Sequence, residues 1–184
     1  MDYLLPEDQL SPAAFTARGE GKLPGHLGII VTTLERHLVE GHFEIAATHH
    51  APNGFLHAGG LVTLADTLCG YGTMANLPAG ATDFTTIELK SNFFSTALEG
   101  RVQARATPVH TGGTTQVWDC EITHMATAKR MALFRCSQLV LRPKGSPTRP
   151  PRGTSPPPAR PSPAHRAAAC GHVRYGHSPP PARR

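Results

Sequence analysis

The 184-residue chain has little of what marks a membrane, disulfide-stapled or metal-clustered protein. It has no run of about 18 uninterrupted apolar residues, so no membrane helix and no membrane partner are expected. The opening Met1-Asp2-Tyr3 has neither a basic start nor a long apolar stretch, so no secretory leader is expected and a cytoplasmic location follows. Four cysteines (Cys69, Cys120, Cys136, Cys170) form no CxxC pair, and three of them lie in apolar patterns where a small buried thiol is the ordinary role. His49, His50 and His57 have no carboxylate or cysteine at a ligand spacing, so no metal is expected.

Acid is missing from one region altogether. Residues 144–184 hold none of the 13 Asp and Glu, but 8 of the 18 Lys and Arg and 11 of the 18 prolines. Val173 is their only Val, Ile or Leu. Such a segment has almost nothing to bury against its ordering entropy, so it is expected to be a disordered basic tail. It reads either as an interaction arm or as the product of a shifted, GC-rich reading frame. The first 143 residues carry 10 basic and 13 acidic groups. The overall charge of +5 and the pI of about 9.3 therefore describe the tail, and they imply no nucleic-acid partner for the domain that precedes it.

What is present reads as one α+β domain over residues 1–143. Residues 10–18 form a short helix, followed by a Gly- and Pro-rich loop up to about residue 26. Two strands, 27–35 and 41–48, pair as a hairpin. After the turn Pro52-Asn53-Gly54, the stretch AGGLVTLADTLCGYGTMAN (58–76) is apolar around most of a helical circumference, so its helix should be buried nearly all round. Four further strands, 84–96, 98–110, 114–124 and 128–141, are joined by short connections and are expected to form an antiparallel meander. A helix apolar on all sides needs a strongly curled sheet, or a second copy of the chain, to cover it. A homodimer, and beyond it a dimer of dimers, is expected.

The helix entrance carries the chemistry. Asp66, nine residues after His57, is the only charged residue of the helix. It shares a stripe with Val62 and Gly70, flanked by Gly59, Thr63, Thr67 and Thr73. Gly59 and Gly60 in the first turn let a ligand approach amides that have no intrahelical partner, where the helix dipole favours developing negative charge. A lone helix Asp is more often held by a hydroxyl or paired with a base than catalytic, and His57 reads equally as a helix cap or a loop hydrogen bond.

The order strand, strand, loop, helix opening on His-x-Gly, helix Asp, then Thr85-Thr86-Ile87-Glu88-Leu89-Lys90-Ser91-Asn92-Phe93 resembles the hotdog-fold acyl-CoA thioesterases of the PaaI type, related to 4-hydroxybenzoyl-CoA thioesterase. The likeness runs from about Lys22 to Leu141, and PNGFLHAGGLVTLADTLCGYG is its most specific part. It implies a curled antiparallel sheet around one central helix, active sites between two subunits, an acyl-CoA substrate, and no cofactor, since coenzyme A is part of that substrate. The family's carboxylate falls on Asp66, as nucleophile or as general base. Its carbonyl-polarising amide falls on Ala58 and its strand hydroxyl on Thr86, with Thr85 beside it. The usual Asn or Gln six residues before the His is replaced by Ala51, which leaves Asn53 as the nearest candidate. A second helical hydroxyl is replaced by Gly70. The turn 110–114 lacks the arginine that relatives place near the coenzyme phosphates, so Lys90, Lys129 and Arg130 become substitutes. Phe55, Leu61, Tyr71, Phe84 and Phe93 are candidates for the acyl pocket. Two alternatives stand beside hydrolysis: a non-catalytic acyl-CoA-binding module, and a hydratase using His57.

Overall fold

A computed structural model describes residues 2–143; the expectation of a disordered tail at 144–184 lies outside the described residues. Ser11 caps the first helix, α1 (Pro12–Ala17), by accepting from the Ala14 amide. Proline at N1 costs that helix nothing, because its amide would have been unsatisfied there. A single turn, α2 (Leu23–His26), leads into β1 (Ile30–Glu35) and β2 (Leu38–Glu44). These two strands do pair, through a turn of only Arg36 and His37, so β2 begins before the expected residue 41. The segment after it instead folds into a 3-10 turn, Ala47–His49.

The central helix, α3 (Ala58–Ala75), fills nearly the span its apolar run predicts. Leu64, Ala65, Leu68 and Cys69 are fully buried in the main core with Phe43, Ile122 and Met131. Trp118 lies flat against the helix at Gly72, where a Cβ would sit 2.5 Å from the indole. At the C-terminal end the orphan carbonyls are gathered by side chains. Asn76 Nδ2 donates to the Gly72 and Arg36 carbonyls, the Arg36 guanidinium donates to the Ala75 and Leu5 carbonyls, and buried Gln116 donates to the Asn76 carbonyl. A cation at this end also suits the helix dipole.

Four more strands follow: β3 (Asp83–Phe93), β4 (Arg101–Thr111), β5 (Thr115–His124) and β6 (Lys129–Leu141). They do not form the expected meander. The sheet order is β1-β2-β4-β5-β6-β3, so β3 occupies the far edge against β6 and β4 inserts beside β2. The connection is residues 94–100 rather than the single Ala97. It is anchored by Phe94 N–H to the Met131 carbonyl, Leu56 N–H to the Ala97 carbonyl and Ile45 N–H to the Gly100 carbonyl. The chain thus passes close to the start of α3 on its way from β3 to β4. Cys69, Cys120 and Cys136 are all buried free thiols, as their apolar patterns predict. No helix among the described residues is long and apolar enough to cross a membrane.

The sheet wraps α3 incompletely. Val62, Thr63, Asp66, Thr67, Tyr71 and Met74 form a half-buried stripe, although Thr73, assigned beside it from spacing, is fully buried and donates to the Cys69 carbonyl. Beyond that stripe, β3 is an edge strand exposed over most of its length, with Ile87 57% and Phe93 46% accessible.

Candidate active site

The loop before α3 is built to present backbone. Asn53 Oδ1 accepts from the Phe55 amide, which closes an Asx turn, and Gly54 takes φ +84° in the next position. The three histidines each commit a ring nitrogen to this framework. His49 Nδ1 accepts from the Ala46 amide while its ring meets Phe43 edge-on, and His50 Nε2 bonds the Leu98 carbonyl. His57 is the helix N-cap, with Nδ1 accepting from the Gly59 amide at 2.8 Å. A ring nitrogen that accepts carries no proton, so the neutral imidazole is protonated at Nε2. Gly59 is required by this cap, because a Cβ there would lie 2.8 Å from Nδ1.

The cap also sorts the first-turn amides. Gly59 N–H is taken by the His57 ring and Gly60 N–H by the His57 carbonyl. Ala58 N–H is exposed and has no acceptor among the described residues. It is the amide left to a ligand. Asp66 lies two turns further on, about 12 Å along the axis at 1.5 Å per residue.

Asp66 is half buried and faces a cavity of about 310 Å³ that Thr67, Gly70, Tyr71, Met74, Phe84 and Thr86 help to line. Burial pushes its carboxyl above the ordinary Asp value, and the hydrogen bond from the Thr86 hydroxyl, at 3.3 Å, opposes the shift. The missing side chain at Gly70 makes room for the Phe84 ring, which a Cβ would approach to 3.1 Å. The hydroxyl of Thr86 also reaches Gln138 Oε1 at 2.9 Å, and Gln138 Nε2 points at Cys136 Sγ. Gln138 is fully buried on β6. Sequence reasoning missed it, since nothing ties a strand glutamine to an aspartate 72 residues earlier.

The substrate-binding candidates divide. Thr86 and Phe84 face α3. Register shifts between Thr86 and Glu88, and this bulge exchanges the faces of the residues that follow. Glu88 therefore accepts from Ser137 on the outer face, and Lys90 lines an outer cleft with Asn92, Arg105, Asp119 and Arg135. Lys90 is on the opposite side of the sheet from Asp66, and Thr85 is exposed. Arg130 pairs with Glu121 and Lys129 is exposed. Phe55 is 44% exposed at the loop tip beside α3. Sequence reasoning also missed Arg18 and Lys22, which stand at the Asp66 cavity.

A family model for the thioesterase superfamily matches residues 53–127. The proofreading thioesterase EntH of Klebsiella pneumoniae is 34% identical over 135 residues, spanning 72% of this chain and 96% of that protein. A 1,4-dihydroxy-2-naphthoyl-CoA hydrolase of Escherichia coli is 32% identical over 59% of this chain and 79% of its own length. Among solved structures, a thioesterase from Pseudomonas aeruginosa superposes with a TM-score of 0.68 at 24% identity, covering 72% of this chain and 95% of that one. The E. coli PaaI protein from the phenylacetic acid degradation operon gives 0.60 at 22% identity, covering 71% and 96%. With the antiparallel sheet curled around α3 and likeness to EntH over nearly all of that protein's length, the chain belongs to the thioesterase superfamily and is a thioester hydrolase of the hotdog fold.

Proposed function

We propose that the protein hydrolyses an acyl-CoA thioester at sites shared by two copies of the chain. The observation that carries this reading is the separation of two complementary groups on one helix. The free Ala58 amide suits a developing oxyanion, and Asp66, in contact with the Thr86 hydroxyl, suits attack. One carbonyl needs both groups within about 3 Å of its atoms. Two groups about 12 Å apart on one helix do not meet that requirement. Apposing two helices antiparallel does, with Ala58 of one copy set against the partner's Asp66.

Two surfaces of the chain suit such a partner. The half-buried stripe of α3 is covered only in part, by Phe15 on Tyr71 and the segment around Arg18 and Lys22, and β3 presents an 11-residue edge with exposed Ile87 and Leu89. A strand edge of that length leaves a row of backbone groups available to pair with a second strand. The acyl-CoA substrate is supported by the relative that is a 1,4-dihydroxy-2-naphthoyl-CoA hydrolase.

In the reaction, the Ala58 amide polarises the thioester carbonyl. Asp66 either takes a proton from water as the water attacks, or attacks the carbonyl itself and is released by water. The tetrahedral oxyanion collapses with cleavage of the C–S bond; on the first route the proton taken from water goes to the departing thiolate, and on the second the thiolate leaves first and is protonated when water opens the Asp66 anhydride to free acid and carboxylate. Thr86 holds the carboxylate, His57 holds the amide by capping the helix, and Asn53 shapes the loop. The chemistry uses only water and the thioester, with no cofactor. The test is thiol release from a panel of short, branched, long and aromatic acyl-CoAs. Wild type is expected to release thiol, and Asp66→Asn to lose it while still binding acyl-CoA. Near-normal turnover by Asp66→Asn would sink the assignment.

A further inference from the structure

Seven arginines fall among the described residues, and the side chains of six are engaged. Arg36 and Arg142 donate to backbone carbonyls, and Arg101, Arg105, Arg130 and Arg135 each hold a carboxylate. The Arg18 side chain alone donates no hydrogen bond and has no acidic partner among the described residues. It is nevertheless held in place. Its guanidinium lies 4.9 Å over the Phe15 ring, and Phe15, 1% exposed, meets Tyr71 of α3 edge-on at 5.2 Å. This ladder orients the exposed, unsatisfied planar fork of Arg18 at the cavity that contains Asp66 and Thr86. Lys22 stands beside it, its ammonium turned back onto the Arg18 carbonyl at 3.0 Å. The Tyr71 hydroxyl likewise has no hydrogen-bond partner among the described residues.

A guanidinium with five free donors, already stacked on a buried ring, matches a carboxylate or phosphate through two parallel hydrogen bonds. Cation–π stacking orients the fork without using its donors. The cavity is too small for a whole acyl-CoA, so a thioester placed at Asp66 extends part of the substrate past α1. We propose that Arg18 anchors an oxyanion of the substrate at the mouth of the Asp66 cavity, either a coenzyme phosphate or an anionic group on the acyl moiety. The inference rests on Asp66 marking the reacting carbonyl.

The test uses the full chain and three thioesters: benzoyl-CoA, benzoyl-pantetheine, which has no phosphate, and 4-carboxybenzoyl-pantetheine. Arg18→Met keeps the apolar stem and removes the fork. It is expected to raise KM about tenfold with kcat little changed, as loss of a charge-assisted pair implies. An effect confined to benzoyl-CoA identifies the phosphate. One confined to the carboxybenzoyl compound identifies an acyl anion. Benzoyl-pantetheine should be indifferent to the substitution, Arg18→Lys should recover part of the loss, and the effect should shrink as salt is raised. Calorimetric titration of Asp66→Asn, with and without Arg18→Met, reads the same anchor as Kd without turnover. Absent thiol release with this Kd pattern intact would then count against hydrolysis and not against the anchor. Equal KM and Kd changes for all three compounds, or none for any, overturn the proposal.

Discussion

The Thr86 hydroxyl carries one proton and faces two acceptors, Asp66 Oδ1 at 3.3 Å and Gln138 Oε1 at 2.9 Å. The terminal amide of Gln138 can present either edge to Thr86, which gives the chain two polarities. With the oxygen forward, Thr86 donates to Gln138 and a protonated Asp66 donates to Thr86. With the nitrogen forward, Gln138 donates to Thr86, whose proton then serves the Asp66 carboxylate, while the Cys136 thiol donates back to the amide oxygen. Hydrolysis needs the ionised carboxylate, hence the second polarity. Because burial raises the Asp66 pKa, the acidic limb of kcat/KM is expected above the ordinary Asp range. Thr86→Val removes the opposing hydrogen bond and should move that limb further up. Gln138→Leu should move it in the same direction by less, and add nothing to Thr86→Val, because it acts only through Thr86. An additive double variant would contradict the relay. The same shift has a stability consequence of definite sign. With the folded pKa above the unfolded one, the native state binds more protons between the two values, so stability falls as pH rises through that window. Asp66→Asn should therefore melt higher than wild type at neutral pH, with the gap closing in acid; a lower Tm at neutral pH would contradict it.

At the level of elements, α3 depends on features at its two ends. His57→Ala should cost about 1 kcal/mol as a lost N-cap, whereas His57→Asn, whose amide oxygen also caps well, should keep Tm and turnover near wild type. A loss of turnover in His57→Asn beyond about a hundredfold would instead put the imidazole in the chemistry. At the other end, Gly72→Ala drives a methyl into the Trp118 ring and should cost about 1–3 kcal/mol in a denaturant titration. The helix itself was legible in the sequence. An apolar run without proline or a strand period, closed by Pro78, admits little else, and Asp66 stood out as its one charge. Strand neighbours were not legible. Period-two alternation says that β3 is a strand but not which strand it borders, and the 94–100 crossover looked like strand ends because Phe94 and Leu98 continue the apolar pattern. The bulge after Thr86 hid the face of Lys90, since one extra residue exchanges faces downstream without changing composition. Gln138 and Arg18 were invisible for a simpler reason. Their positions beside Asp66 are products of the sheet order and of the Phe15–Tyr71 contact, not of any spacing along the chain.

For the whole molecule, a site shared between two chains makes each active centre depend on the partner's residues. Ala58 offers a clean probe because it is residue N1 of α3, where proline is well tolerated, and because His57 already has the extended backbone that a following proline requires (φ −65°, ψ 131°). Ala58→Pro thus deletes the free amide while leaving the helix able to form, and should lower kcat by about a hundredfold or more, as loss of an oxyanion donor does. Asp66→Asn deletes the opposing group. In a mixed dimer of the two variants under two-fold symmetry, one site combines both defects and the other combines an intact Ala58 amide with an intact Asp66. Co-expression of the two inactive chains with different tags is therefore expected to restore about a quarter of wild-type activity, since half the dimers are mixed and each regains one site of two. Purification through both tags in turn should double that specific activity. If each chain carried its own complete site, every site in the mixture would retain one defect, and the mixture would stay as inactive as its parts.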